Sequence, residues 1–355
     1  MMTRIILFTL LCSVLSAYSA QKEEPFFGGI WQSGSVPPSA TTFPYFEQLF
    51  NQVTPEGAGK LKHAFLDRNN PDWASLDSMY AYANDRGWFI KQHTFVWKAS
   101  TPPWFADMIK AAQWDSVRES TYDFMRQYFT RYPLTTAADI ANETAKNVPV
   151  LGQTMYIKAV DTGQIHWWQA FQPGLYTNGQ HLVWNTAMEA TYRQWDWLIP
   201  IYRKARELTR ELAPNCKLIL NDHTLLRDAL RRDLFISQVR KLKAEGLIDY
   251  MGEQGHHIGD LSSVQIQTEL DILAKETGIP LVISEFDIRD NEVEVNGKVI
   301  APGSDSLQLV YMKNVFPPIW EHPNTIGVTL WGYMKAIIGD ERPIWLERTV
   351  PTDLP

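Results

Sequence analysis

The chain alternates short apolar runs with segments in which apolar residues recur every three to four positions. The apolar runs predict strands that are covered on both faces, as parallel strands are: residues 26–30, 62–65, 88–97, 137–142, 217–221, 250–254, 281–286 and 326–331. Helical patterns fill most of the intervals between them: residues 70–87, 115–132, 186–212, 225–245, 263–277 and 306–321. Periodicity alone indicates an alternating α/β fold, and we expect a (β/α)8 TIM barrel in a single domain.

The first long helical pattern has signals at both ends. Pro71 stands where a first helical residue is tolerated, with Asn70 before it as a possible cap, and Gly87 is predicted to end the helix. Within it, the apolar stripe predicted to face inward comprises Trp73, Leu76, Tyr80 and Ala83.

Two of the predicted strands carry a glutamate at or near their ends. Glu143 follows the run 137–142, and Glu285 lies in the run 281–286. An ionised carboxylate resists burial unless it is paired, and barrel enzymes have their active site at the carboxyl ends of the strands. Two carboxylates at one mouth suit hydrolysis of a glycosidic bond, with one as acid and the other as nucleophile or base. Taken singly, either glutamate is more often a solvated residue at a strand end, and it is the pair together that favours a glycosidase.

The connection after the fourth predicted strand is long, covering residues 144–185. It is a candidate wall of a substrate cleft, and a structural lid with a small core of its own is the alternative. Its aromatic and histidine residues are Tyr156, His166, Trp167, Trp168, Phe171, Tyr176 and Trp184.

Composition narrows the choice of partners. The 355 residues carry a net charge of −7, which disfavours nucleic acid as a partner, whereas a neutral polymer is compatible with it. The 14 Trp and 14 Tyr residues offer flat apolar faces that stack well on sugar rings, although most of them will pack in the core. We expect a polysaccharide substrate and a monomer.

Residues 1–20 have the pattern of a secretory signal peptide: Arg4, an apolar stretch over 5–15, and small residues around Ala20. The stretch is too short for a membrane anchor, so we expect a secreted or periplasmic protein whose mature domain covers residues 21–355, with no membrane association. That domain would keep one cysteine, Cys216, which makes no intramolecular disulfide and indicates no metal cluster. No metal or cofactor is expected.

Seven segments, in order along the chain, resemble the motifs of glycoside hydrolase family 10, the xylanase family. Any one of them is weak, but together they are highly specific. They are Phe50-Asn51-Gln52-Val53-Thr54-Pro55-Glu56 followed by Lys60, His93-Thr94-Phe95-Val96-Trp97 with Thr101-Pro102-Pro103-Trp104, Asp139-Ile140-Ala141-Asn142-Glu143, Asn221-Asp222, Gln254-Gly255-His256, Ile283-Ser284-Glu285-Phe286-Asp287-Ile288, and Thr329-Leu330-Trp331-Gly332-Tyr333.

The resemblance implies an endo-1,4-β-xylanase that retains anomeric configuration by double displacement. Glu143 would be the general acid/base and Glu285 the nucleophile, with carboxyl groups about 5–5.5 Å apart. Asn142 would contact the sugar 2-hydroxyl, and His256 would orient Glu285 with Asp287 as its partner. The sugars on the non-reducing side would be held by Lys60, His93, Trp97 and Gln254, with Trp331 stacked beneath the reacting ring.

Several positions depart from the family pattern. Gly57 replaces an asparagine, and Lys98 and Ser100 replace a histidine and a glutamine. A second tryptophan over the reacting sugar is missing, with Ile337 and Ile338 in its neighbourhood. Two alternatives therefore stay open: a retaining glycosidase on another β-linked glycan, and a glycan-binding protein with little catalysis.

Overall fold

The computed structural model describes residues 25–31, 46–145, 166–172, 174, 178–180, 186–287, 293–295, 298–300 and 305–331. Within them, eight parallel strands pair side by side and close into a barrel. The strands in the order in which they neighbour one another are β1 (Phe26–Trp31), β2 (Gln52–Pro55), β3 (Phe89–Gln92), β4 (Ala137–Asn142), β5 (Lys217–Asp222), β6 (Tyr250–Glu253), β7 (Leu281–Phe286) and β10 (Thr325–Leu330), which pairs again with β1. The (β/α)8 prediction is confirmed.

Most of the strand predictions hold because parallel barrel strands are apolar on both faces. The predicted bounds of β4 and β7 match those observed. The second strand was predicted wrongly at 62–65, which belongs to the helix Leu61–Ala64. The true β2 is Gln52–Pro55, whose polar residues point into the barrel: Gln52 Nε2 donates to Thr54 Oγ1 at 2.7 Å, and both residues are fully buried. A strand that satisfies buried polar groups in this way lacks the apolar signal.

The third strand is shorter than the predicted 88–97, because the chain leaves the ladder after Gln92. Beyond that point only the isolated bridge between Val96 and Ala141 continues the pairing among the described residues. The residues after β3 are thereby free to form the wall of the barrel mouth, where polar strand-end side chains gather.

Helices cover the outside of the barrel and bury one face against it. Their bounds are α1 Phe46–Leu49, α2 Leu61–Ala64, α3 Ala74–Asn84, α4 Pro103–Lys110, α5 Trp114–Arg131, α6 Thr186–Tyr192, α7 Leu198–Leu212, α8 Ala229–Ala244, α9 Ser263–Thr277 and α10 Asp305–Trp320. A short antiparallel hairpin of β8 (Val293–Val295) and β9 (Lys298–Ile300) stands apart from the barrel.

Helix α3 begins later than the predicted 70–87. The first turn starts at Ala74, whose N–H donates to Asp72 Oδ1 at 3.0 Å, so the predicted cap at Asn70 is wrong. The predicted stripe is buried at Leu76, Tyr80 and Ala83, as the pattern requires.

Three further features were not predicted. The pattern 186–212 divides into α6 and α7 near Trp195, whose φ of 60° interrupts a helix. Helix α4 and the β8–β9 hairpin lie in segments for which no element was predicted. Helix α4 is short, but Pro103 at its first helical position is a helix-start signal that the sequence offered.

The described part of the long connection after β4 packs against the helices. A 3-10 helix, His166–Phe171, carries Trp167, Trp168 and Phe171, all at most 9% exposed. Trp167 contacts Phe105 with ring centroids 5.7 Å apart. These three rings belong to the main hydrophobic core and do not form a small core of their own, while Tyr156, Tyr176 and Trp184 lie outside the described residues.

Two smaller expectations concern single segments. Cys216 is buried and free, immediately before β5. Residues 1–20, the expected signal peptide, lie outside the described residues. Among the helices described, none combines the length and apolar character needed to cross a membrane.

Candidate active site

The two predicted catalytic glutamates lie at the same end of the barrel. Glu143 directly follows β4, and Glu285 is the penultimate residue of β7. Both strands run parallel, so their carboxyl ends share one mouth. Strands β5 and β6 lie between them and contribute Asn221 and, just past β6, Gln254. These two amide side chains connect the two glutamates.

Asn221 contacts both Glu285 and Asn142. Its Nδ2 donates to Glu285 Oε1 at 2.9 Å and to Asn142 Oδ1 at 2.9 Å. Its Oδ1 accepts from Ser284 Oγ at 2.6 Å, which fixes the orientation of the amide. Asn221 is fully buried, so these bonds hold Glu285 and Asn142 in a defined relation.

Gln254 contacts the other glutamate. Its Nε2 donates to Glu143 Oε1 at 3.4 Å and to Asn142 Oδ1 at 3.3 Å. Its backbone carbonyl accepts the N–H of Glu285 at 2.8 Å. The predicted residues Asn142, Glu143, Gln254 and Glu285 are thus brought into one hydrogen-bonded cluster.

Glu285 is 5% exposed and surrounded by positive charge. Burial by itself would raise the pKa of its carboxyl. His93, whose Nδ1 lies 3.8 Å from Glu285 Oε1 and which is charged only when its ring is protonated, acts together with the hydrogen bond and charge of His256 and the charge of Lys91. These effects outweigh burial and hold the pKa of Glu285 at about 2. Glu285 is therefore ionised at neutral pH, as a nucleophile must be.

His256 lies between two carboxylates. Its Nε2 is 3.3 Å from Glu285 Oε2, and its Nδ1 is 2.9 Å from Asp287 Oδ2. Burial lowers the pKa of the imidazole, but the hydrogen bonds and charges of Asp287 and Glu285 outweigh burial and raise the pKa to about 9. A protonated His256 donates a hydrogen bond to Glu285 and forms an ion pair with Asp287, and together these fix the orientation of Glu285.

His93 is held in place by a buried ion pair between Asp139 and Lys91. Asp139 Oδ2 lies 2.8 Å from His93 Nδ1 and 2.5 Å from Lys91 Nζ, and all three side chains are almost fully buried. Burial lowers the pKa of His93, against the opposing charge of Glu285 and the bond to Asp139. The Lys91–Asp139 pair fixes the ring orientation of His93, and sequence reasoning missed it.

The remaining predicted sugar-binding residues form an aromatic wall beside His93. Lys60 Nζ lies 4.8 Å from the ring centroid of Trp97 and 6.0 Å from that of Trp331. The Trp331 ring is 5.3 Å from His93, and its backbone N–H donates to the carbonyl of Phe286 at 2.8 Å. Trp97 Nε1 is buried without an acceptor among the described residues. A sugar hydroxyl could supply one.

The departures from the family pattern have different structural settings. Ser100 is 3% exposed, and its Oγ accepts the N–H of Lys62 at 3.3 Å, so its hydroxyl binds the first turn of helix α2. Gly57 and Lys98 are half-buried. Ile337 and Ile338 lie outside the described residues.

Sequence reasoning assigned no role to Asn221 beyond its place in a motif. The available signal was a polar residue at the end of an apolar strand, the same signal that identified the glutamates. Within the described part of the chain, no group of three or more His, Cys, Asp and Glu side chains could hold a metal ion.

An ionised carboxylate beside a partly exposed second carboxyl group, both at the carboxyl ends of parallel barrel strands, is the arrangement of (β/α)8-barrel glycosidases. The family model for glycosyl hydrolase family 10 matches residues 16–339. The chain belongs to glycosyl hydrolase family 10.

Individual relatives agree with this assignment. The chain is 30% identical over 310 residues to endo-1,4-beta-xylanase B of Cellvibrio japonicus (strain Ueda107), covering 87% of this chain and 41% of that protein. It is 25% identical over 282 residues to endo-1,4-beta-xylanase A of Thermotoga neapolitana, covering 77% and 22%. The chain therefore spans less than half the length of these two relatives.

A solved structure shares the fold. Xylanase 10B from Thermotoga petrophila RKU-1, in complex with xylobiose, superposes with a TM-score of 0.65 at 16% identity, covering 88% of this chain and 83% of that one. At this identity the similarity supports the barrel architecture.

Proposed function

We propose that the protein is an endo-1,4-β-xylanase that hydrolyses internal β-1,4 bonds of xylan with retention of configuration. Membership of glycosyl hydrolase family 10 supports the reaction class, and the printed names of the relatives support xylan as substrate. The observation that carries the proposal is the cluster in which Asn221 and Gln254 connect the ionised Glu285 with Asn142 and Glu143.

In the first step, a Glu285 carboxylate oxygen attacks the anomeric carbon from one face of the sugar. The bond from that carbon to the glycosidic oxygen breaks, and Glu143 gives its proton to the departing oxygen. The bonds from Asn221 and His256 keep the Glu285 oxygens directed at the sugar. The product is a glycosyl ester on Glu285 and a shortened chain with a new hydroxyl.

In the second step, the Glu143 carboxylate accepts a proton from water, and the water oxygen attacks the anomeric carbon. The ester bond to Glu285 breaks, which regenerates the carboxylate and returns Glu143 to its protonated form. Asn142 would contact the sugar 2-hydroxyl, since its amide is fixed by Asn221 and Gln254 beside both glutamates.

The aromatic wall defines where the polymer would bind. Lys60, His93, Trp97 and Gln254 would hold the sugars on the non-reducing side, and Trp331 would stack beneath the reacting ring. The contacts of Lys60 with the faces of both tryptophans support a surface suited to a sugar. No cofactor or metal takes part in this scheme.

The test is reducing-sugar release from xylan by the wild type, Glu285→Gln and Glu143→Ala, with an activated aryl xylobioside as second substrate. Glu285→Gln should abolish turnover of both substrates. Glu143→Ala should lose activity on xylan but retain the first step on the aryl substrate, whose leaving group needs no proton. Equal losses on both substrates in Glu143→Ala would contradict the acid/base assignment.

Two alternatives are separated by the same assay. A retaining glycosidase on another β-linked glycan is favoured by Gly57, by Lys98 and by the engagement of Ser100 Oγ with helix α2. Such an enzyme would show turnover on that glycan with little on xylan. A glycan-binding protein would bind xylan with no difference in sugar release between the wild type and Glu285→Gln.

We further propose that residues 1–20 are a cleaved signal peptide and that residues 21–355 form the catalytic domain of a secreted or periplasmic monomer. The support is the sequence pattern of residues 1–20. N-terminal sequencing of the exported protein and its mass by light scattering test both statements. An uncleaved N-terminus or a dimer mass would contradict them.

A further inference from the structure

The two residues that follow Glu143 are held by hydrogen bonds from three separate elements. The carbonyl of Thr144 accepts from Tyr192 Oη at 2.9 Å, and Thr144 Oγ1 donates to Gln238 Oε1 at 2.9 Å. The N–H of Ala145 donates to Asp222 Oδ2 at 2.7 Å. Tyr192 ends α6, Gln238 lies in α8, and Asp222 ends β5.

Glu143 itself has a backbone conformation that needs support. Its φ is 57°, in the left-handed region that side-chain-bearing residues seldom adopt. Its N–H donates to the carbonyl of Asn221 at 2.8 Å, which fixes the backbone on the N-terminal side of Glu143. Strained backbone persists only where its surroundings determine it on both sides. The bonds to Thr144 and Ala145 supply the following side.

Asp222 is itself held in place. Arg231 Nε lies 3.1 Å from Asp222 Oδ1, and the N–H of His223 donates to the same oxygen at 2.8 Å. Arg231 is 5% exposed, and its Nη1 donates to Thr224 Oγ1 at 3.2 Å. Burial raises the pKa of Asp222 to about 6, and the charge of Arg231 opposes this rise.

Gln238 is fully buried and uses only part of its hydrogen-bonding capacity. Its Oε1 accepts from Thr144, whereas its Nε2 has no partner among the described residues. A buried amide with an unpaired donor is costly for stability. The hydrogen bond from Thr144 is thus the interaction by which the Gln238 side chain holds the residues that follow Glu143.

We infer that Tyr192, Gln238 and Asp222 are positioning residues that set the direction of the Glu143 carboxyl group and thereby the protonation of the leaving group. This inference rests on the proposed acid/base role of Glu143. The three residues act on Glu143 through Thr144 and Ala145.

The test uses Tyr192→Phe, Gln238→Met and the double variant. The first removes only a hydroxyl, and the second removes the acceptor together with the unpaired donor, so both should fold. The matched control is Tyr202→Phe, because Tyr202 also donates to a backbone carbonyl, but to that of Ile219 in β5 at 2.8 Å rather than to the residues that follow Glu143. Melting temperatures of all variants are measured alongside kinetics.

The readout is kcat/KM for two aryl xylobiosides, because this constant reports the first step for both. With phenolate, a poor leaving group, each single variant should lose about three- to tenfold, the effect of one hydrogen bond. With dinitrophenolate, which leaves without a proton, kcat/KM should stay within about twofold of the wild type. Tyr202→Phe should show no difference between the two substrates, whatever its melting temperature.

Parallel losses on both substrates, or the same difference between substrates in Tyr202→Phe, would overturn the positioning role. Unchanged kcat/KM on the phenyl substrate in the double variant would overturn it as well. Failure of the proposed function is a separate result, because it would appear as a wild type without xylobiosidase activity or as a Glu143→Ala variant that treats the two leaving groups alike.

Discussion

Gly252→Ala is predicted to inactivate the enzyme by displacing Asn221. Gly252 lies in β6 directly opposite Asn221 in β5. A Cβ atom at Gly252 would lie 2.2 Å from Asn221 Oδ1, 3.0 Å from its Cγ and 3.2 Å from its Cα. Because the backbone Cα is also too close, rotation of the amide alone cannot relieve the contact. Asn221 must move, and its bonds to the site are lost or weakened.

The size of the effect follows from those bonds. The Asn221 amide donates to the ionised Glu285 and to Asn142, and accepts from Ser284. A hydrogen bond to a charged group contributes about 1.5–3 kcal/mol, and a neutral one about 0.5–1.5 kcal/mol. Loss of the bond to Glu285 alone should lower kcat/KM by about 10- to 150-fold, since nucleophilic attack requires that orientation.

The assay is kcat/KM on xylan and on a dinitrophenyl xylobioside, together with thermal unfolding. Both substrates should be affected alike, because both need Glu285. The matched control is Gly246→Ala: Gly246 has a φ of 66° but no atom within 4 Å of an added Cβ. That variant should lose stability through backbone strain alone and keep its activity.

A double-mutant cycle with Asn221→Ala isolates the cause. If Gly252→Ala acts by displacing Asn221, the double variant should be no less active than Asn221→Ala alone. Wild-type kcat/KM in Gly252→Ala, or additive losses in the double variant, would refute the reasoning.

Three further outcomes are expected. Burial raises the pKa of Glu253 to about 8, so the unfolded chain loses this proton at a lower pH than the folded chain does. The unfolding free energy of the wild type should therefore fall relative to that of Glu253→Gln by about 1.4 kcal/mol per pH unit between roughly pH 5 and 8. A constant difference between the two unfolding free energies across that range, measured by urea denaturation, would contradict this prediction. Trp97→Ala should raise KM for xylotriose about tenfold with a smaller change in kcat, because a stacking face and an indole donor are lost. An unchanged KM would show that Trp97 does not bind the sugar. If Gly57 and Ser100 have removed contacts to the glycone, specificity constants should rise steeply from xylobiose to xylohexaose, because more distant subsites must supply the affinity. A flat series would show local compensation instead.

The amino-acid sequence by itself determined those features of the barrel that depend on neighbouring residues in the chain, including the strands that carry the catalytic candidates. Strands β4 and β7 are buried on both faces, so their apolar runs gave their bounds directly. A carboxylate at the end of such a run is costly without a purpose, which identified Glu143 and Glu285. The helix Ser263–Thr277 was equally readable, because Ser262 and Gln265 form a capping box and Gly278 ends the helix in the left-handed conformation.

Only the tertiary structure decided which polar groups satisfy one another inside the barrel. The apolar pattern missed strand β2, which lies within the family motif Phe50–Glu56, because Gln52 bonds to Thr54 and to Thr329, a residue of the last barrel strand. The hydrogen bond between Asn221 and Glu285 joins residues 64 positions apart in the sequence. The hydrogen bond between Thr144 and Gln238 joins residues 94 positions apart. Such bonds carry no periodic signal in the sequence. They exist because barrel closure and the packing of helices on the barrel bury these groups together, and a buried donor or acceptor must find its partner there.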